Sequence, residues 1–321
     1  MSPLPYCRAS ELPERSEDRR WLIEFLWAEG AVGIVGGEPK LGKSFLALDA
    51  AVSVASGRPC LRRFAVPRPG PVLVFAAEDA LHVVRARLAG IAAAAGVTIE
   101  DLPIDVITVP VLRLDVPDHQ RKLRETVELV RPRLLVLDPF VRLHRIDENA
   151  SAEVAPLLAY LRELQRRYET AVLLVHHARK GAAHARAGQA LRGSSELHAW
   201  GDSNLYLRRK ADESLRLTIE HRAAPSRGDL LLELREAGTA LALSVREEAA
   251  VAVESDAAVC EPTAVSKIED ALAAAAKPLT QRQLRETCKL RMATVCDALT
   301  ALVTAGRVRK TSGGLYARVA S

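Results

Sequence analysis

With 321 residues, 49% of them hydrophobic, the chain is too long for one small module and long enough for a large core with one appended domain. Its five cysteines (Cys7, Cys60, Cys260, Cys288 and Cys296) are odd in number, scattered and without a Cys-x-x-Cys pair, which argues against a disulfide framework or a structural zinc site and implies a reduced, cytoplasmic protein. The net charge of +5 is unevenly spread: residues 262–321 carry ten Lys or Arg against four Asp or Glu, a local +6 that leaves the remainder near −1 and puts the basic character where a nucleic-acid contact would place it.

Residues 1–20 are polar, then strongly charged, and read as an arm. Neither an apolar run of about eighteen residues nor a basic-then-apolar leader occurs, so no membrane span or export is expected. Trp21, Leu22, Phe25 and Leu26 form a short amphipathic stretch, expected to pack on the core or on a neighbouring subunit. Residues 31–35 read as a buried strand. They lead into Gly36-Gly37-Glu38-Pro39-Lys40-Leu41-Gly42-Lys43-Ser44, which has the spacing of a phosphate-binding loop. Gly37 and Gly42 let the backbone turn and aim amides at phosphate oxygens, Lys43 reaches the outer phosphates, and Ser44 is placed to ligate Mg²⁺. Phe45, Leu46, Leu48 and Val52 give the following segment a helical face, so the phosphates would sit at a helix N-terminus. The substrate class is therefore a nucleoside triphosphate, with ATP and Mg²⁺ the expected ligands.

Residues 72–77 are a second buried strand, ending in Glu78-Asp79, and residues 134–138 are a third, ending in Asp138. A carboxylate at such a strand end faces the ligand crevice, and Asp138 has the Walker-B position that holds Mg²⁺ directly or through water. Residues 82–95, 120–129 and 152–168 read as helices, so strand and helix alternate and a mainly parallel sheet is predicted. Residues 172–175 form the next strand, followed by His176-His177-Ala178-Arg179-Lys180. Successive residues of an extended segment point to opposite sides, so the two imidazoles are not expected to share a metal ion; one is expected to sense the γ-phosphate.

The segments GGEPKLGKS, VLVFAAED, LLVLD, LLVHHARK, LRGSSELHAWGDSNLYL and LTIEHRAAP, in that order, resemble the RecA-like (AAA_25-type) core of RepA-type hexameric replicative helicases and, more distantly, the DnaB core, over about residues 20–235. The resemblance implies an α/β fold with a RecA-like P-loop core and catalysis at subunit interfaces of a ring, expected to be a hexamer. It makes Glu78 the glutamate that orients and deprotonates the attacking water, with Asp79 as the fallback. It selects His177 over His176 as the sensor and Arg222 as the finger donated to a neighbour's γ-phosphate. DnaB has a lysine two positions before that arginine where this chain has Glu220, so Arg208 or Arg209 stays open for the finger role. The resemblance also implies that residues 139–151, with Arg142, His144 and Arg145, and residues 179–192, with Arg179, Lys180 and Arg186, line a channel that holds single-stranded DNA by its phosphates. Phe140, two residues after Asp138, is expected to pack rather than stack on bases.

The core is read as residues 21–245, and a linker at 246–263, rich in Ala, Val and acidic residues, leads to a small domain at 264–321. Ile268 and Leu272 mark one helix, Thr280 can cap a second through Leu284, and residues 292–304 form a third, stopping at Gly306. Two short strands, 307–311 and 315–319, flank Ser312-Gly313-Gly314, and this order resembles a winged helix-turn-helix domain. Lys289, Arg291 and Thr294 would begin the groove-contacting helix, and Arg309 and Lys310 would sit on the wing, with duplex DNA or a replication protein as the partner. The expectation is an ATP-driven DNA helicase of a mobile element. The rival reading is an ATP-switched regulator or initiator that does not unwind DNA; a metal-dependent phosphoesterase built on His176 stands third.

Overall fold

The chain enters the fold through a two-stranded ribbon, Trp21–Ile23 (β1) and Trp27–Ala28 (β2), where the sequence suggested only an amphipathic stretch. Leu22, Leu26 and Trp27 are buried, and the Trp27 indole donates to the Ala31 carbonyl at 3.2 Å, so the ribbon belongs to the core of its own chain. The computed structural model describes residues 4–12, 20–177, 195–209, 214–225, 228–237, 240–246, 264–275, 277–288, 307–311 and 315–318, with Val295, Ala298, Leu299 and Leu302. The chain divides into two units, Met1–Glu248 and Ala249–Ser321.

In the first unit Val32–Gly37 (β3) runs into Lys43–Ser56 (α1), Val72–Ala76 (β4) into Leu81–Ala94 (α2), and Ile104–Val106 (β5) precedes Pro117–Val130 (α3). Leu134–Asp138 (β6), Ser151–Tyr168 (α4) and Ala171–His177 (β7) follow, then Ser195–Trp200 (α5), Ser203–Arg209 (β8), Leu215–His221 (β9), Leu230–Ala237 (β10) and Ala240–Val245 (β11). Nine strands form one sheet in the order β11-β10-β9-β8-β3-β7-β6-β4-β5. From β8 to β5 every neighbouring pair is parallel; β8 to β11 are joined by antiparallel pairs.

The continuous apolar runs are explained by burial on both faces. Leu134 and Val136 of β6 enter one core with α1 and α2, while Leu135 and Leu137 enter the other with α3 and α4. Burying each such side chain contributes roughly 1.5–3 kcal/mol, and that holds the middle of the sheet. Helix ends follow local chemistry: Pro117 opens α3 where its missing N–H has no helical acceptor to lose, and Gly57 closes α1 in the left-handed conformation, φ 76°. Strand β7 runs through both histidines because β3 pairs with it as far as Gly37 opposite His177. Among the described residues no helix is long and apolar enough to cross a membrane.

The second unit contains Ala264–Ala274 (α6), Leu279–Thr280 (β12), Gln281–Cys288 (α7), helical positions at Val295, Ala298, Leu299 and Leu302, Val308–Lys310 (β13) and Leu315–Arg318 (β14). Its strands form an antiparallel sheet in the order β12-β14-β13 over a core of Ile268, Leu272, Leu284, Leu299, Val308 and Tyr316. Thr280 caps α7: its hydroxyl accepts from the Gln283 N–H at 3.2 Å, and its own N–H donates to Gln283 Oε1 at 2.8 Å.

At Gly33, the second residue of β3, an added Cβ would lie 1.7 Å from the Ser203 carbonyl oxygen of β8. Backbone cannot yield there, so Gly33→Ala is expected to cost about 3 kcal/mol or more and to leave little soluble protein. Gly228, with nothing near its would-be Cβ, should tolerate Ala within about 0.5 kcal/mol by thermal denaturation.

Candidate active site

Strands β3, β4, β6 and β7 are parallel, so their C-terminal ends share one edge of the sheet. That edge carries the phosphate loop, Glu78 and Asp79, Asp138 and the two histidines, and it is where ligands bind in open α/β sheets. Gly42 sits at φ 84°, a conformation that glycine enters readily, and it turns residues 36–41 into the first turn of α1. The first amides of α1 lack intrahelical acceptors and carry partial positive charge, so Glu38, Pro39, Lys40 and Leu41 lead into an anion-binding end.

Lys43 is 4% exposed, and its ammonium donates to the Glu38 carbonyl at 2.7 Å. Burial pushes its pKa down to about 8, against the upward pull of Asp138, Glu78 and Glu38. Asp138, 9% exposed, is moved the other way. Burial raises its carboxyl to about 6, reinforced by Asp79 and Glu78, while the Ser44 hydrogen bond and Lys43 pull it down. Ser44, Lys43 and Asp138 are thus one electrostatic unit, assembled from the start of α1 and the end of β6.

Glu78 lies beyond the end of β4 rather than within it, and its carboxylate pairs with Arg142 of the segment after β6, Nε to Oε1 2.8 Å. Asp79 pairs with Arg87 of α2, whose guanidinium lies over the Phe45 ring. The parity of β7 separates the histidines. Val172 and Leu174 face the α4 core, so His176 points that way; Leu173 and Val175 face the α1 core, and His177 shares their side, the side of the phosphate loop. His176 is buried with Phe140 and His144, ring centroids 6.0 and 4.5 Å from Phe140 respectively. Phe140 is fully buried packing, and His144 Nε2 lies 3.3 Å from Glu148 Oε1.

Arg222 follows β9, opposite the start of β8, and so lies at the other end of the sheet from the phosphate loop of its own chain. It pairs with Asp202 at 3.3 Å and donates to the Ala199 carbonyl, and Asp202 is also held by Arg162 of α4. Arg208 and Arg209 lie instead at the loop end, since Leu207 is opposite Gly37. Arg142 and Arg145 are exposed on the segment after β6, whose apolar members Phe140 and Leu143 are buried. Arg309 is exposed on β13, and Lys310 is the last residue of that strand. Arg179, Lys180, Arg186, Lys289, Arg291 and Thr294 lie outside the described residues. Sequence reasoning missed Asp202, Arg162 and the Arg142–Glu78 pair. Asp202 stands inside the GDSN segment, but nothing local marks it as the partner of an arginine twenty positions later.

A phosphate loop at the end of a central parallel strand, with a buried carboxylate in the Walker-B position interacting with the loop lysine and serine, defines a RecA-like P-loop ATPase. The family described as an AAA domain (AAA_25) matches residues 2–183, and the chain belongs to that family. Among solved structures it is similar to a KaiC-like protein from the hyperthermophilic archaeon Pyrococcus horikoshii OT3, at 17% identity and a TM-score of 0.48, over 70% of this chain and 93% of that one.

Only the protonated Lys43 attracts a polyphosphate, so nucleotide affinity should be full below about 8 and fall as pH rises above it, by up to about tenfold per pH unit. Fluorescence titration with an ATP analogue across pH tests this. Lys43→Arg, which keeps its charge, should flatten the alkaline limb; a flat limb in the unsubstituted protein would count against the assignment.

Proposed function

We propose that this ATPase is Mg²⁺-dependent, assembles as a ring and moves on single-stranded DNA as the replicative helicase of a mobile element. The observation that carries the reading is the split of the site: Lys43, Ser44, Asp138 and Glu78 share one edge of the sheet, and Arg222 is anchored at the opposite end. Arg222 cannot reach its own chain's nucleotide, so a neighbouring copy is its natural recipient.

Ser44 and Asp138 offer adjoining hard oxygens at a buried point, a donor pair that fits Mg²⁺, and they would hold it. Bound there, Mg²⁺ would neutralise phosphate charge during the reaction. Lys43 exchanges the Glu38 carbonyl for the β- and γ-phosphates. Glu78 takes a proton from the water whose oxygen bonds to the γ-phosphorus as the bond to the bridging oxygen breaks, giving ADP and inorganic phosphate. His177 hydrogen-bonds the γ-phosphate and reports its loss to the basic segment that follows it. Arg142, Arg145, Arg179, Lys180 and Arg186 hold the single strand by its phosphates. The C-terminal unit acts as a winged helix that recruits the ring, with Lys289, Arg291, Arg309 and Lys310 toward duplex DNA or a replication protein. The +6 charge of residues 262–321 also favours a second reading, an ATP-switched initiator that binds duplex and unwinds nothing.

Steady-state hydrolysis separates the two. A motor is stimulated by single-stranded DNA, loses turnover but keeps ATP and DNA binding in Glu78→Gln, and loses ATP binding in Lys43→Ala; retained hydrolysis in Glu78→Gln sinks the mechanism. An initiator binds duplex without single-strand stimulation. The split site gives a further test. Arg222→Ala should lower turnover by about 10³-fold, and mixing it with the inactive Lys43→Ala protein should restore part of the activity, because some interfaces then combine an intact loop with an intact arginine. No recovery on mixing would overturn the donation between copies.

A further inference from the structure

The two residues proposed to act at different steps, Glu78 on the attacking water and Arg142 on the DNA strand, are bound to each other. Arg142 Nε lies 2.8 Å from Glu78 Oε1. The pair forms because β4 and β6 are adjacent and parallel, with Ala76 opposite Asp138, so the segments that leave them emerge side by side. Behind Arg142 the segment is fixed: Phe140 and Leu143 are buried, Leu114 donates to the Leu143 carbonyl at 2.6 Å, and the Arg145 N–H donates to Asp115 Oδ2 at 3.1 Å. The guanidinium itself is in solvent. Arg142 and Glu78 side chains are 62% and 44% exposed, so their pairing is weak and open to exchange.

We infer that Arg142 is a latch on Glu78: its ion pair holds the glutamate away from the attacking water, and a phosphate of a bound single strand releases the glutamate by taking the guanidinium. This rests on the proposed role of Glu78. A phosphodiester competes directly for the pair, because it offers the same two-oxygen face to a guanidinium as a carboxylate does. Only an exchange of ion partners is involved, with no bond made or broken. The latch lowers basal hydrolysis until a strand is loaded, without requiring a large motion.

The experiment is ATP turnover by the full-length protein at saturating ATP, with and without poly(dT). Arg142→Gln is expected to raise the basal rate by about two- to fivefold, the range an exposed pair can supply, with KM for ATP unchanged and poly(dT) stimulation reduced in proportion. Arg142→Lys should restore the low basal rate, since an ammonium can still pair. Raising ionic strength should increase the basal rate of the unsubstituted protein by screening the pair, and leave Arg142→Gln unmoved. A basal rate in Arg142→Gln that is unchanged or lower overturns the latch, a lower one meaning that Arg142 holds Glu78 in its working position. A rate that poly(dT) does not alter in the unsubstituted protein overturns the release step. Glu78→Gln keeps the two readings apart: loss of hydrolysis there with no change in Arg142→Gln discards the latch alone, whereas retained hydrolysis discards the ATPase mechanism beneath it.

Discussion

Everything in the larger unit converges on a place where one ammonium and one carboxylate are desolvated together. Burial moves Lys43 down to about 8 and Asp138 up to about 6, so each charged form is less stable there than in water. Their mutual attraction and the Ser44 hydrogen bond offset part of that cost. The remainder would be relieved by ligands of the matching charge, a polyphosphate at the lysine and a divalent cation at the aspartate. Such a site exists only if the backbone is rigid enough not to relax around it.

The sheet provides that rigidity. The loop lysine and serine begin α1 and the aspartate ends β6, so their distance is set by β7, the strand between β3 and β6. Close packing on the other flank of β3, where Gly33 meets the backbone of β8, sets the position of the antiparallel half. The β10–β11 hairpin then folds back over α1 and α2, with Leu243 near Gly42, so the helix that begins the anion site is covered as well as supported. The carboxyl end of β3 is thus fixed from three sides.

The parts legible in the sequence were those with a local cause. Leu134–Asp138 is readable because a strand buried on both faces must be apolar throughout, and the phosphate loop because few residue sets can make that turn. Alternation alone placed the two histidines on opposite sides of their strand; the choice of His177 over His176 came from the family resemblance and not from any local signal. Elements stabilised from afar were not legible. The three-residue β5 and the β1–β2 ribbon are too short to display a period, and β10 and β11 carry exposed apolar residues, Leu234 and Leu241, that blur theirs. The pairings that restrain the charged residues were beyond reach for the same reason: Arg142 and Glu78 are 64 positions apart, and Arg162 and Asp202 are 40.

Those pairings differ in a way that matters for the proposed cycle. Arg222 is fixed by a carboxylate that a second arginine, Arg162, also grips, and by a backbone carbonyl, so its head is oriented by several bonds at once. Among the described residues Arg142 pairs with one exposed carboxylate. A group that must be presented in a constant direction to another molecule benefits from the first arrangement, because ordering it beforehand removes an entropic cost from the encounter. A group that must change partners needs the second, since a deeply held pair would resist exchange at the concentration of phosphates along a strand. The two arginines are chemically identical, and their surroundings suit one to a fixed role and the other to a reversible one.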